Sequence, residues 1–304
     1  MSYVSLNLKN YITVLQTSRP SFLILTPVCV FLGLSVSIDM LQSDSYSTIS
    51  LALVGAIFSH ISVNMLNEYF DFKSGLDLKT QRTQFSGGSG ALPKNPDAAK
   101  LTLIYALVSL SMPITIGVYL IFKTGYSILP IGLLGFVLII LYTKWINRMP
   151  LICLLAPGLG FGLLMVVGTS VITSGNHSTL AWLMSLVPFF LVNNLLLLNQ
   201  YPDIEADLSV GRRTFPIVYG IRKSNIVYAI FVISGFSIIV HSLYKAYIPL
   251  ISIIALIPVL LSLYSLKGAV KYSANIGKHP KYLAANVAAA VLTPLLLAIA
   301  IIVG

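Results

Sequence analysis

Nine apolar runs, each near the length of a membrane-crossing helix, constrain this chain more than any other feature. They lie near residues 21–38, 48–66, 101–121, 126–143, 151–173, 180–200, 224–243, 247–266 and 283–303. Spanning a hydrocarbon core takes about 20 mostly apolar residues per helix. Of the 304 residues, 57% are hydrophobic and only 9% charged, whereas a soluble globular chain carries about 25% charged residues. Such a chain could not cover itself in water. The expected fold is all-α: a polytopic membrane protein of nine transmembrane helices, forming a single domain over residues 1–304. The first run is long and lacks a small-residue cleavage site, so it is expected to be a span and not a signal peptide. Cys29 and Cys153 both sit within apolar runs without partners at metal-ligand spacing, and read as small core residues.

Charge supports this arrangement. The net charge of +10 comes from 19 basic and nine acidic residues. Alternating the polar segments between two sides places 17 of the 19 basic residues on one side, leaving only Lys123 and Lys245 on the other. Basic residues mark cytoplasmic loops, so the N-terminus is expected inside and the C-terminus outside. Topology and lipid headgroups account for the charge without a nucleic-acid partner. The absence of a transit peptide points to the inner or plasma membrane, with an organelle as the alternative. Residues 1–20 carry Tyr3, Leu6, Leu8, Tyr11, Ile12 and Leu15 among polar residues and are expected to form a short interfacial helix before Arg19-Pro20 opens the first span.

The acids are concentrated. Six of the nine fall in two short segments, 67–77 and 199–207, each closing an apolar run on the basic side. The first holds Asn67, Glu68, Asp71 and Asp77. The second holds Asn199, Asp203, Glu205 and Asp207. Each pairs an Asn with an Asp four residues later, and residues i and i+4 share a helix face. Asn67 and Asp71 therefore project together, with Asn64 and His60 deeper on the same face; Asn199, Asp203 and Asp207 form the matching set. Carboxylates at the end of a membrane helix are costly unless neutralised, and mark a functional site by default. Mg²⁺ is the natural neutraliser, since it takes one or two carboxylates, waters and substrate phosphates in octahedral geometry. Two facing clusters could then hold a diphosphate, with Lys79, Arg82, Arg212 and Arg213 as a second, basic layer.

These segments resemble those of the UbiA superfamily of intramembrane prenyltransferases. Asn67, Asp71 and Asp77 match the first Asp-rich motif in the six-residue spacing of menaquinone-type, 1,4-dihydroxy-2-naphthoate prenyltransferase-like members. Asn199, Asp203 and Asp207 match the second, with Gly211-Arg212-Arg213-Thr214 as its basic tail, and Tyr142-Thr143 resembles a family feature at the end of the fourth helix. The resemblance implies a ring of helices around a central cavity, capped by two cytoplasmic loops. It also implies Mg²⁺-dependent transfer of a prenyl group from an isoprenyl diphosphate to an acceptor, commonly aromatic. Asn67, Asp71, Asp77, Asn199, Asp203 and Asp207 would coordinate Mg²⁺ and diphosphate; Lys79, Arg82 and Arg213 would contact the diphosphate. Asn64, Glu68, Tyr142 and Tyr201 complete the expected substrate-binding set, the tyrosines shielding an allylic cation through their ring faces. Glu68 stands where many members carry Asp. Residues 85–90 differ from the corresponding loop of quinone-pathway enzymes, and Pro202 should restart the helix at Asp203.

Two other readings share these residues. A terpene cyclase on the same scaffold would form the same cation and need no acceptor. A cation or metabolite transporter would place its acids near the membrane midplane on broken helices, whereas these lie at helix ends. Gly158, Gly160 and Gly162 lie within a span and are expected to serve close helix packing. The glycines of 87–90 are expected to act as diphosphate-binding backbone or as a lid hinge.

Overall fold

The computed structural model describes residues 8–41 and 45–304. The chain opens with helix α1 (Leu8–Thr17), followed by α2 (Leu25–Ser35), α3 (Ser45–Lys73), α4 (Leu76–Lys79) and α5 (Ala91–Lys94). Next come α6 (Ala99–Thr124), α7 (Leu129–Leu141), α8 (Pro150–Gly158) and α9 (Gly168–Ser174), the last two joined by a wide π-type segment over Leu159–Val167. The remainder is α10 (Thr179–Asn199), α11 (Ile204–Ser209), α12 (Phe215–Tyr219), α13 (Ile221–Tyr244), α14 (Leu256–Tyr272) and α15 (Pro280–Val303). The interfacial helix expected before the first span is α1 where the chain is described; residues 1–7 lie outside the described residues.

Each of the nine apolar runs is helical, but not all cross on their own. Among the described residues, seven helices are long and apolar enough to span a membrane. An eighth span is a broken one, Leu8–Phe22 with Leu25–Ser35, bent by 46°. The bend has a local cause. Arg19 adopts a left-handed backbone, φ 52°, and Pro20 starts a 3₁₀ turn, so the α-helical ladder cannot run through. The remaining run is the shorter apolar helix Tyr126–Leu141; at a rise of 1.5 Å per residue its 16 residues reach about 24 Å, short of the roughly 30 Å core.

Packing is uneven, and the unevenness creates the site. The largest core cluster joins α2, α10, α13, α14 and α15 through Leu32, Met184, Leu198, Tyr228, Leu283 and Leu297, all fully buried. On the opposite side α3 packs along α6, while α7 buries no residue at all. The space left between these elements and the π-type segment is a cavity of about 670 Å³. Its lining on α3 runs from Asp71 to Ala52, and the 19 helical steps between them correspond to about 28 Å of helix. Polar groups crowd one end, and the rest of the wall is mostly apolar, with Leu110, Ile121, Leu138 and Leu164 among its residues.

Candidate active site

The polar end of the cavity is built by the two acidic segments, brought together from distant parts of the chain. Asn67 and Asp71 lie on the last turns of α3 and both line the cavity. Gly75, at φ 78°, ends the helix, and α4 then turns Asp77 back to the same opening. In the other half, α10 closes at Asn199 and a turn through Pro202 restarts the chain as α11, with Asp203 at its N-cap. Asn199, Asp203 and Asp207 all line the cavity, as the i, i+4 spacing suggested, although a helix break separates the first from the others.

Arg212 joins the halves. It donates from Nη1 to Asp207 Oδ1 at 2.9 Å and from Nη2 to Asp71 Oδ1. The glycine-rich loop adds backbone donors: the Gly87 N–H bonds Asp203 Oδ2 at 3.1 Å. Gly88, at φ 73°, lies so close that a Cβ there would stand 3.0 Å from Glu68 Oε1 and 3.4 Å from Asp77 Oδ1. Fully buried Glu68 accepts from Arg19 Nη2 at 2.6 Å, from the Ser89 N–H at 2.7 Å and from the Ser89 hydroxyl at 2.5 Å. Glu68 therefore ties the loop to the strained start of the first span, where a left-handed non-glycine residue costs about 1–2 kcal/mol.

Electrostatics follow from burial. Asp77 is pushed up to about 7, first by burial and then by the negative charges of Glu68 and Asp71. Asp203 is likewise pushed up to about 7 by burial and by Asp207. Burial also raises Asp207. Arg212 would be lowered by burial, but Asp71 and Asp207 outweigh this and hold it above its ordinary value.

The donor set suits a hard divalent cation. Asp77 Oδ2, Asn199 Oδ1 and Asp203 Oδ1 are buried oxygens without a hydrogen-bond partner, and Mg²⁺ prefers oxygen ligands. Among the described residues no three His, Cys, Asp or Glu side chains converge on one point. Mg²⁺ held there would take its remaining ligands from waters and substrate phosphates.

Other expected site residues are placed less centrally. Asn64 and Tyr142 line the cavity, with Asn64 holding the Ser18 carbonyl at 2.9 Å. Lys79 is exposed, reaching Ser209 Oγ at 3.3 Å across the mouth. Arg82 is exposed and braces the loop by donating to the Asp77 carbonyl at 2.7 Å. Two of the expected residues lie outside the cavity lining. Arg213 is exposed, its backbone N–H bonded to the Asn147 carbonyl at 2.9 Å, and it is Arg212 that faces the cavity. Tyr201 is fully buried in the core, its hydroxyl donating to Asn225 at 2.8 Å. Glu68 sits behind the cavity wall. Sequence reasoning missed Arg19 as part of this end of the cavity; the signal was an arginine at the mouth of an apolar run. His60 also lines the wall, its Nδ1 2.8 Å from Thr26 Oγ1.

Of the three glycines assigned to packing, Gly158 and Gly162 press on α10: an added Cβ would stand 2.3 Å from the Phe189 carbonyl oxygen and 2.5 Å from the Phe189 nitrogen respectively. Gly160 instead lines the cavity, with open space at its Cβ.

A helical bundle with paired acidic segments at one end of an apolar cavity is a specific pattern, and comparison with known proteins decides it: residues 24–275 match the UbiA prenyltransferase family. The chain belongs to that family. It is 29% identical over 209 residues to a 1,4-dihydroxy-2-naphthoate octaprenyltransferase of Bacillus subtilis, covering 67% of this chain and 65% of that protein. It is 25% identical over 213 residues to a digeranylgeranylglyceryl phosphate synthase of Methanobrevibacter smithii, covering 69% and 70%. The fold matches that of a UbiA homologue from Archaeoglobus fulgidus solved with DMAPP and Mg²⁺, with a TM-score of 0.63, 16% identity and coverage of 93% of this chain and 99% of that one. A multi-pass integral membrane protein is therefore the architecture of this family member.

Proposed function

We propose that this UbiA-family protein is a Mg²⁺-dependent intramembrane prenyltransferase, transferring an isoprenyl group from an isoprenyl diphosphate to an aromatic, quinone-precursor-like acceptor and releasing diphosphate. The observation that carries the reading is the meeting of Asp71, Asp77, Asp203 and Asp207 at the polar end of an apolar cavity of membrane depth. A molecule with an anionic head and a long hydrocarbon tail fits both ends.

Asn67, Asp71, Asp77, Asn199, Asp203 and Asp207 would hold the metal and, through it, the diphosphate. When bound, Mg²⁺ would neutralise the carboxylates and stabilise the charge that develops on the departing diphosphate. Arg212 and the Gly87 N–H would supply positive ends beside it. Lys79 and Arg82, at the rim, would attract the anionic donor from solution. The apolar wall would keep water from the allylic cation, and Tyr142, which lines the cavity, would shield that cation through its ring. The excess of positive residues on the side of the acids supports a cytoplasmic mouth and N-terminus, with the inner or plasma membrane as the site of action.

The aromatic acceptor is supported by the likeness to the Bacillus naphthoate enzyme. A glyceryl phosphate acceptor is the second reading, supported by the Methanobrevibacter relative. A cyclase needs no acceptor and would use the same acids. Incubation of the purified protein with Mg²⁺ and geranylgeranyl diphosphate, with each acceptor class and with none, followed by mass spectrometry, separates them. A prenylated aromatic formed only when its acceptor is present supports the proposal. A prenylated glyceryl phosphate moves the acceptor, and a cyclic hydrocarbon or alcohol formed without acceptor replaces transfer by cyclisation.

A further inference from the structure

Arg212 occupies the space between the two acidic segments. Its guanidinium bonds Asp207 Oδ1 at 2.9 Å and also Asp71 Oδ1, and its side chain is only 16% exposed. These are two of the carboxylates that would serve the metal. A guanidinium does not lose its proton in proteins, so it can give way to a second cation only by moving. Arg19, the other arginine at this end, is tied to Glu68, and Arg213 points outward. Among the described residues, no other arginine in the cavity wall forms an ion pair with Asp71 or Asp207.

We propose that Arg212 is a place-holding counter-ion, neutralising Asp71 and Asp207 until the donor binds and then transferring to the diphosphate oxygens. The inference rests on the reading of these acids as the diphosphate site. The backbone allows the movement. Arg212 lies in the turn between α11 and α12, after Gly211 at φ 79° with open space at its Cβ. Backbone bonds from Arg212 N to Asp207 O at 3.0 Å and from Arg213 N to Asn147 O at 2.9 Å hold the turn independently of the side chain. The exchange is chemically balanced, because a guanidinium binds phosphate with the same bidentate fork it offers carboxylate. Mg²⁺ alone must evict a cation that has no other partner, whereas Mg²⁺ with diphosphate gives Arg212 a new one. Mg²⁺ and diphosphate are therefore taken up cooperatively.

Calorimetric titration and thermal unfolding of the full-length protein in detergent test this with Mg²⁺ alone, inorganic pyrophosphate alone, and both together. Wild type should bind Mg²⁺ weakly by itself and much more tightly with pyrophosphate. Arg212→Gln should bind Mg²⁺ alone about tenfold more tightly than wild type or better, as expected for removing the positive charge that the ion must otherwise displace from the carboxylates, and pyrophosphate should enhance that binding less. It should also melt early in EDTA and recover with Mg²⁺ alone. Arg212→Lys, which cannot bridge two carboxylates in a fork, should shift in the same direction by less, and it serves if the Gln variant does not fold. Mg²⁺ affinity equal to or below wild type in the folded variant overturns the proposal and makes Arg212 a fixed brace. If Mg²⁺ with pyrophosphate leaves wild type unchanged, the diphosphate reading falls, and the proposal falls with it.

Discussion

The Gly87 N–H donates to Asp203 Oδ2 at 3.1 Å, across 116 residues of sequence. One hydrogen bond thus joins the loop after the first acidic segment to the leading carboxylate of the second. Gly87 holds φ 81°, and an added Cβ would stand 2.8 Å from Thr80 Cγ2. Gly87→Ala should therefore strain the loop by about 1–2 kcal/mol and draw the N–H away from Asp203. The KM for the isoprenyl diphosphate should rise severalfold in a protein that still folds; steady-state kinetics with an unchanged KM would separate the loop from the donor site.

Glu68 is fully buried and accepts from both Arg19 and Ser89. Glu68→Gln keeps the shape but leaves the Arg19 charge uncompensated. Breaking a buried pair costs about 3–5 kcal/mol, and the 26% exposure of the Arg19 side chain puts the expected loss toward the lower end. Thermal unfolding in detergent should show a clear drop in midpoint, with or without Mg²⁺, because Glu68 lies behind the cavity wall.

The carboxylates also set a pH dependence. Asp77 and Asp203, pushed up to about 7 in the folded metal-free protein, have ordinary values near 4 when unfolded. Between about pH 4 and 7 the native state binds more protons than the unfolded one, so metal-free stability falls as pH rises through that window. Mg²⁺ requires the deprotonated groups. The gain in unfolding midpoint from a high, fixed Mg²⁺ concentration should grow from about pH 5.5 to about pH 7.5 and then level off. A gain independent of pH would contradict the assignment of these acids to the metal.

Gly160 and Gly162 should respond in opposite ways. Gly162→Ala drives a Cβ to within 2.5 Å of the Phe189 nitrogen and should lower stability by about 1–3 kcal/mol. Gly160→Leu adds bulk only to the cavity, so the fold should survive while long prenyl donors lose kcat/KM relative to short ones. Equal losses for short and long donors would mean that the tail does not pass Gly160.

The acidic segments were legible because their geometry is local: i, i+4 spacing at a helix end places side chains together whatever surrounds the helix. The pairing of the two segments was legible from their shared side of the membrane. Residues in turns were not. Arg212 and Arg213 are adjacent and chemically identical, and only the turn after Gly211 decides which one faces inward. Tyr142 and Tyr201 both follow apolar runs, yet one lines the cavity and the other is buried behind it. The span count is blurred for a related reason. An apolar run gives a length in residues, but the left-handed Arg19 breaks the first helix, and α7 falls short of full crossing length. The same holds for Gly158, Gly160 and Gly162, whose two-residue spacing within the wide turn between α8 and α9 turns the middle one toward the cavity.

The most direct test is Mg²⁺-dependent release of diphosphate from geranylgeranyl diphosphate by wild type, Asp71→Ala and Asp203→Ala, each first shown to be folded by its elution and melting in detergent. Wild type should release diphosphate only when Mg²⁺ is present, and each variant should lose that release almost completely. Release retained in both folded variants would contradict the site.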